Sequence, residues 1–167
     1  MAMMPIVAEY KLAQINIARL RGPLDSPEMR DFIAVLAEIN RLAESAPGFV
    51  WRHPSGFGHL SGADLLGDDL ITINLSVWES YQPLHNFTYR SHHGSFVRRR
   101  SQWFTPLRQP TTALWWVPAR YEPTPEEAVA RLRHLRSYGP TPQAFTVRRR
   151  FDFHGEPEQE TAGKRRY

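Results

Sequence analysis

Cysteine is absent from this 167-residue chain, which excludes disulfides, thiolate chemistry and cysteine-ligated zinc. Lysine is nearly absent. Of 21 basic residues only Lys11 and Lys164 are lysines, which leaves 19 arginines. A GC-rich genome produces that skew without selection for phosphate contacts. The arginines are scattered and gather only at Arg98 to Arg100, Arg148 to Arg150 and Arg165-Arg166. A formal charge of +4 is therefore not a nucleic-acid footprint, which needs a basic stripe with aromatics interleaved. Long apolar runs are missing too: no stretch approaches the roughly 18–20 residues of a membrane helix. The opening MAMMPIVAEYK lacks the basic and apolar regions of a signal peptide. No nucleic-acid or membrane partner is expected, and the expected compartment is the cytoplasm.

What is present is an ordinary globular composition, 41% hydrophobic and 23% charged, at a length that supports one domain with a real core. Ala13, Ile15 and Ile17 alternate with Leu12, Gln14 and Asn16, which predicts a strand over Tyr10 to Ile17. Pro27 behind Ser26 starts a helix whose Met29, Phe32, Ile33, Leu36 and Ile39 share one face, and Pro47-Gly48 stops it. Phe49 to Arg52 reads as a second strand. His53 to Asp69, with Pro54 and four glycines at 56, 58, 62 and 67, reads as a loop.

The third strand, Leu70 to Trp78, is the clearest. Ile71, Ile73, Leu75 and Val77 take one side, and Leu70, Thr72, Asn74, Ser76 and Trp78 the other. The polar members are short and neutral, which favours a covered, hydrogen-bonding face over a solvated one. A helix with Leu84 and Phe87 follows Ser80, and a second helical piece runs from about Ser95 to Trp103. Thr112 to Val117 gives a fourth strand. Thr124-Pro125-Glu126-Glu127 then starts a helix through Tyr138, with a cap, a proline at its first position and an acidic first turn. Ala144 to Phe153 adds an edge strand.

The order β-α-β-β-α-β, with one more helix, is that of a ferredoxin-like α+β domain. We expect an extension over residues 1–8, a single domain over 9–153 and a disordered tail over 154–167 that is dispensable for stability. Helices on one side would leave the sheet's apolar face bare, which predicts a homodimer.

Several stretches together carry a family resemblance. They are Leu12 to Asn16, Ala46 to Trp51, Asn74 to Ser80, Tyr89-Arg90-Ser91 with His93, Arg98 to Arg100 with Trp103-Phe104, and Leu114 to Pro118. On these the chain resembles the dimeric α+β barrel superfamily, which includes antibiotic-biosynthesis and heme-degrading monooxygenases. It is most similar to a bacterial branch known only as a domain of unknown function. The resemblance implies a dimeric barrel, with Asn16 at a pocket asparagine position and Phe87 where heme-degrading members have a pocket tryptophan. Their heme-ligating histidine falls on Val97.

The densest chemistry lies between Asn74 and Phe104. His93, with His92 beside it, is either a general acid or base, suited by an ordinary pKa of about 6.5, or a histidine capping a helix break. Asn16 and Asn74 either orient a carbonyl and hold an enolate or peroxide oxygen, or form a structural amide pair. Tyr89 and Arg90 bind an acidic phenol or carboxylate, unless Arg90 pairs with Glu79. Trp78, Trp103, Trp115 and Trp116 are either core or the walls of an aromatic pocket. Adjacent Trp115 and Trp116 must face opposite ways, so one of them can line such a pocket. His85 stands eight residues from His93 with no carboxylate at ligand spacing, so no metal is expected.

The working set is thus His93, Asn74 and Tyr89 for catalysis and Asn16, Arg90, Trp78, Phe87, Trp103, Trp115 and Trp116 for binding. Two functions compete for it. One is a cofactor-independent enzyme for a hydrophobic, aromatic or polyketide-like small molecule, either a monooxygenase or a cyclase or isomerase. The other is a non-catalytic protein that binds a small molecule or heme in the same pocket.

Overall fold

The period-two alternation that opens the chain becomes the central strand of a six-stranded antiparallel sheet. The computed structural model describes residues 9–54, 60–90 and 99–159. Strand β1 spans Tyr10–Leu20, followed by a 3-10 turn at Pro27–Met29 and helix α1 at Arg30–Ser45. Then come β2 (Phe49–Arg52), β3 (Leu60–Ser61), α2 (Ala63–Leu66), β4 (Ile71–Trp78) and α3 (Tyr81–Arg90). Residues 99–103 form a helical turn, α4, before β5 (Phe104–Thr105), β6 (Thr112–Pro118) and α5 (Pro125–Tyr138). The four long strands lie in the order β2-β4-β1-β6, which is the ferredoxin-like split βαβ arrangement. The fold is α+β.

Register fixes which residues share a row. Asn16 on β1 stands opposite Asn74 on β4 and Thr112 on β6, while Gln14 stands opposite Ser76 and Leu114. Arg52 on β2 extends the second row beyond Ser76. Because side chains alternate along a strand, these rows point to one side of the sheet, and Ala13, Ile15, Ile17, Ile73, Leu75, Val77 and Trp115 point to the other.

That second, apolar side is where the structure departs most from expectation. It is not bare. α5 lies across it, and Ala128, Val129, Leu132 and Leu135 join the strand residues in one cluster in which no member is more than 3% exposed. Thr124 starts α5 as its sequence predicts, accepting a hydrogen bond from the Glu127 N–H at 3.2 Å. The reason given for a homodimer, an uncovered sheet face, therefore does not hold: the chain covers that face with its own last helix.

The opposite side is covered by α1 and α3, but unevenly. One apolar cluster gathers Leu12, Trp78, Leu84, Leu114 and Phe145 at one end. Another gathers Leu20, Met29, Phe32, Leu36 and Trp103 at the other. Between them the sheet presents the polar Gln14, Asn16, Thr72, Asn74, Ser76 and Thr112, and the gap between the two clusters there is a cavity.

Smaller differences have local causes. Ser26 does not cap α1; its hydroxyl donates to the Pro23 carbonyl, and the 3-10 turn separates it from the helix. The stretch read as a loop holds β3 and α2, tied down by Asp68, which accepts from the Leu70 N–H and from Arg19 Nε at 2.8 Å. Glycine is needed at Gly62 because a Cβ there would lie 2.7 Å from the Ile71 Cβ. Ala144 to Phe153 is not a strand: it meets β6 through a single bridge, Leu114 to Phe145, with both backbone bonds at 2.9 Å.

Residues 154–159, expected as part of a disordered tail, are ordered against the domain. Residues through 159 fold back, with Phe151 bridged to Pro157, the Glu158 N–H donating to the Arg150 carbonyl and the Arg150 side chain paired with Glu158 at 2.9 Å. Ending the chain after Phe153 should therefore cost about 1–2 kcal/mol, the worth of a few partly exposed bonds. Thermal melting of full-length and shortened protein checks this. Identical melting temperatures would mean the fold-back contributes nothing.

Candidate functional site

The gap encloses about 570 Å³. Its floor is the polar face of the sheet: Gln14 and Asn16 from β1, Thr72, Asn74 and Ser76 from β4, and Thr112 from β6. The floor is partly cross-linked. Thr112 Oγ1 donates to Asn16 Oδ1 at 3.1 Å, and the Trp78 indole N–H donates to Ser76 Oγ at 3.1 Å. Asn74 is half-buried and has no side-chain hydrogen bond among the described residues, so its amide is available to a guest.

The roof comes from the helices. α1 contributes Phe32, Leu36 and Asn40. Asn40 is only 6% exposed, yet its amide also has no hydrogen-bond partner among the described residues. Facing the cavity, that amide is available to a ligand oxygen or amide. α3 contributes Tyr81, Leu84, His85, Phe87 and Tyr89. Trp78 and Phe87 stack at 5.3 Å between ring centres, making one aromatic wall.

On α3, residues 81, 85 and 89 fall on one stripe at four-residue spacing. Tyr81 Oη lies 3.0 Å from His85 Nδ1, and the His85 ring packs 4.6 Å from that of Tyr89. Burial pushes the Tyr81 phenol up from its ordinary pKa, against the opposing pull of Arg150, so it is a neutral hydroxyl at neutral pH. Arg150 holds it from behind, its guanidinium 3.7 Å from the Tyr81 ring centre. At the cavity's edge Arg52 binds Glu44 at 2.6 Å, while its Nη1 is buried with no partner among the described residues.

The site residues expected from sequence divide into three groups. Asn16, Asn74, Trp78, Phe87 and Tyr89 line the cavity together, with Tyr89 at the rim and 56% exposed. Trp103, Trp115 and Trp116 do not line it. Trp103 is buried with Phe32 and Leu20, Trp115 is fully buried on the α5 side, and Trp116 donates its indole N–H to the Phe151 carbonyl at 2.7 Å. Trp115 and Trp116 do face opposite ways, but both directions lead into core. His92 and His93, and the side chain of Arg90, lie outside the described residues.

Sequence reasoning passed over Tyr81, Asn40, Gln14 and Arg52, and weighed His85 only as a metal ligand. The spacing of Tyr81, His85 and Tyr89 on a helix was the signal that would have found the first of these. Among the described residues no three His, Asp or Glu side chains converge as a metal site would require.

A family model described as a domain of unknown function, DUF3291, matches residues 11–161. The chain belongs to that family. The match takes in every element that builds the cavity, and α5 as well. No curated protein matches the DUF3291 chain in sequence.

Among solved structures, SnoaB from Streptomyces nogalater, described as a cofactor-independent oxygenase, is 15% identical. It covers 67% of this chain and 95% of its own at a TM-score of 0.45. Rv0793 from Mycobacterium tuberculosis is 14% identical, covering 68% and 99%, with a TM-score of 0.46. The ActVA-Orf6 monooxygenase of Streptomyces coelicolor, solved with Nanaomycin D, is 15% identical, covering 70% and 94%, with a TM-score of 0.39. At these values nothing about substrate or reaction transfers from them. No helix among the described residues is long and apolar enough to cross a membrane.

Proposed function

We propose that this DUF3291 domain is a cofactor-independent enzyme that transforms a hydrophobic, aromatic or polyketide-like small molecule inside the cavity. The observation that carries this reading is the facing pair Asn16 and Asn74 in one register row on the cavity floor, Asn74 half-buried and Asn16 exposed at the open side. Two neutral amides beside a stacked Trp78–Phe87 wall suit a planar ring system that bears an enolisable carbonyl. A proton leaves carbon, the electron pair moves to the carbonyl oxygen, and the amides hold that oxygen as charge develops. With dioxygen as co-reactant the carbanion is a monooxygenase intermediate. Without dioxygen the same proton movement serves a cyclase or isomerase. Tyr89 at the cavity mouth belongs to this reading, as do His93 and Arg90, the latter as the partner of an acidic phenol or carboxylate. A homodimer belongs to it too, formed away from the face under α5. The exposed Tyr10 and Phe153, stacked at 5.5 Å, are suited to such a contact.

A suitable probe is 1,8-dihydroxyanthrone in air. Its CH₂ flanked by two rings yields a stabilised carbanion, and one dioxygen converts CH₂ to C=O with release of one water. Purified protein should be colourless and should accelerate both anthraquinone formation and oxygen uptake. Binding of the probe without acceleration would instead favour a non-catalytic carrier, and a Soret band would point to heme.

A further inference from the structure

We propose that His85 is the group that moves the proton in this cavity, and that Tyr81 is its positioning residue. The inference rests on the enzymatic reading above and gives it a base. Three features point to the pair.

First, His85 lines the same cavity as Asn16 and Asn74. A base must share the compartment of the oxyanion donors that receive the electron pair. Second, its two ring nitrogens have different surroundings. Nδ1 is within hydrogen-bond distance of Tyr81 Oη at 3.0 Å, and Nε2 has no partner among the described residues. With Nδ1–H donating to the phenol oxygen, Nε2 offers its lone pair to the cavity. Third, Tyr81 is fixed rather than loose. Arg150 stacks on its ring, and Arg150 is itself held by the Val147 carbonyl at 2.7 Å and by Glu158 at 2.9 Å. A partner that orients the imidazole from a pinned position is the arrangement that sustains a base. Burial keeps the phenol protonated, so it remains a dipole that supports the imidazolium without surrendering its own proton.

The step balances on the anthrone probe. His85 Nε2 takes one proton from the CH₂ carbon, and the C–H electron pair delocalises onto the carbonyl oxygen near Asn16 and Asn74. The carbanion reduces dioxygen and a C–O bond forms. The resulting peroxide takes the proton back from the imidazolium. Nε2 then removes the second carbon-bound proton, the O–O bond breaks as C=O forms, and the departing hydroxide leaves as water with that proton.

The test uses full-length protein, air and 1,8-dihydroxyanthrone. His85→Gln should lower kcat by about 10²-fold or more with the far-ultraviolet spectrum unchanged. In His85→Ala, added imidazole should restore part of the rate. Tyr81→Phe should lower kcat about 10-fold with KM unchanged, since it loses orientation and keeps the ring under Arg150. Deuterium at the reacting carbon should slow the wild-type protein. If the wild-type protein turns over and His85→Gln keeps kcat within about twofold, the assignment is wrong and the enzymatic reading stands. If the wild-type protein does not turn over, the enzymatic reading fails and this assignment goes with it.

Discussion

Replacing Asn74 by alanine should lower turnover of the anthrone probe by about 10²–10³-fold, the usual loss when one oxyanion donor is removed. The effect should fall on kcat, because the amide matters most when the carbonyl oxygen has become an enolate. Stability should hardly change. Asn74 makes no side-chain hydrogen bond among the described residues, so truncation breaks none and leaves the Trp78–Ser76 bond beneath it intact. Kinetics and thermal melting of the purified variant separate the two effects. A variant that melts like wild type and still turns over at the wild-type rate would remove Asn74 from the chemistry. Asn16 should give a smaller loss, since Thr112 already bonds its carbonyl oxygen and its amide is more open to water.

The largest effect on stability should come from the other side of the sheet. Leu132→Ala should cost about 2–5 kcal/mol, as expected for a buried leucine whose cavity cannot collapse. Leu132 is 1% exposed and packs among Ile15, Leu75, Trp115 and the α5 residues around it. Denaturant unfolding at two protein concentrations tests both the magnitude and the reason. The loss should be the same at each concentration, because the contact lies within one chain. A loss below about 1 kcal/mol would mean that α5 does not hold this face in solution. A strong concentration dependence would return the face to a subunit interface.

Much of the scaffold was legible because period two survives in β1 and β4. The short neutral residues Thr72, Asn74 and Ser76 announced a covered polar face, and that face is the cavity floor. By the same alternation Asn16 and Asn74 could both face the helices, as they do on the side of α1 and α3, whereas alternation alone could not give their register as cross-strand partners. The destination of α5 was not legible. Its stripe of Ala128, Val129, Leu132 and Leu135 says that one face is buried, but periodicity does not say against which side of a sheet.

The tryptophans stayed open between core and pocket for a related reason: an indole in a strand reads the same whether it faces a ligand or a helix. Trp103, Trp115 and Trp116 all went to core. The His92-His93 pair drew attention by density, whereas His85 owes its place to Tyr81 one turn earlier, a relation visible only once α3 is drawn as a helix. β3 and α2 span two and four residues, too short for any period to register.

The pairing of β1 bears on how the protein is made. Leu12 pairs with Trp78, 66 positions later, and with Trp116, 104 positions later. Helix α5, which shields Ala13, Ile15 and Ile17, emerges from the ribosome later still. Until those partners have been made the first strand is an apolar ribbon with neither neighbour nor cover, and pairings so distant in sequence form slowly. Yield on overexpression should therefore respond to translation speed and temperature as well as to the stability of the finished domain.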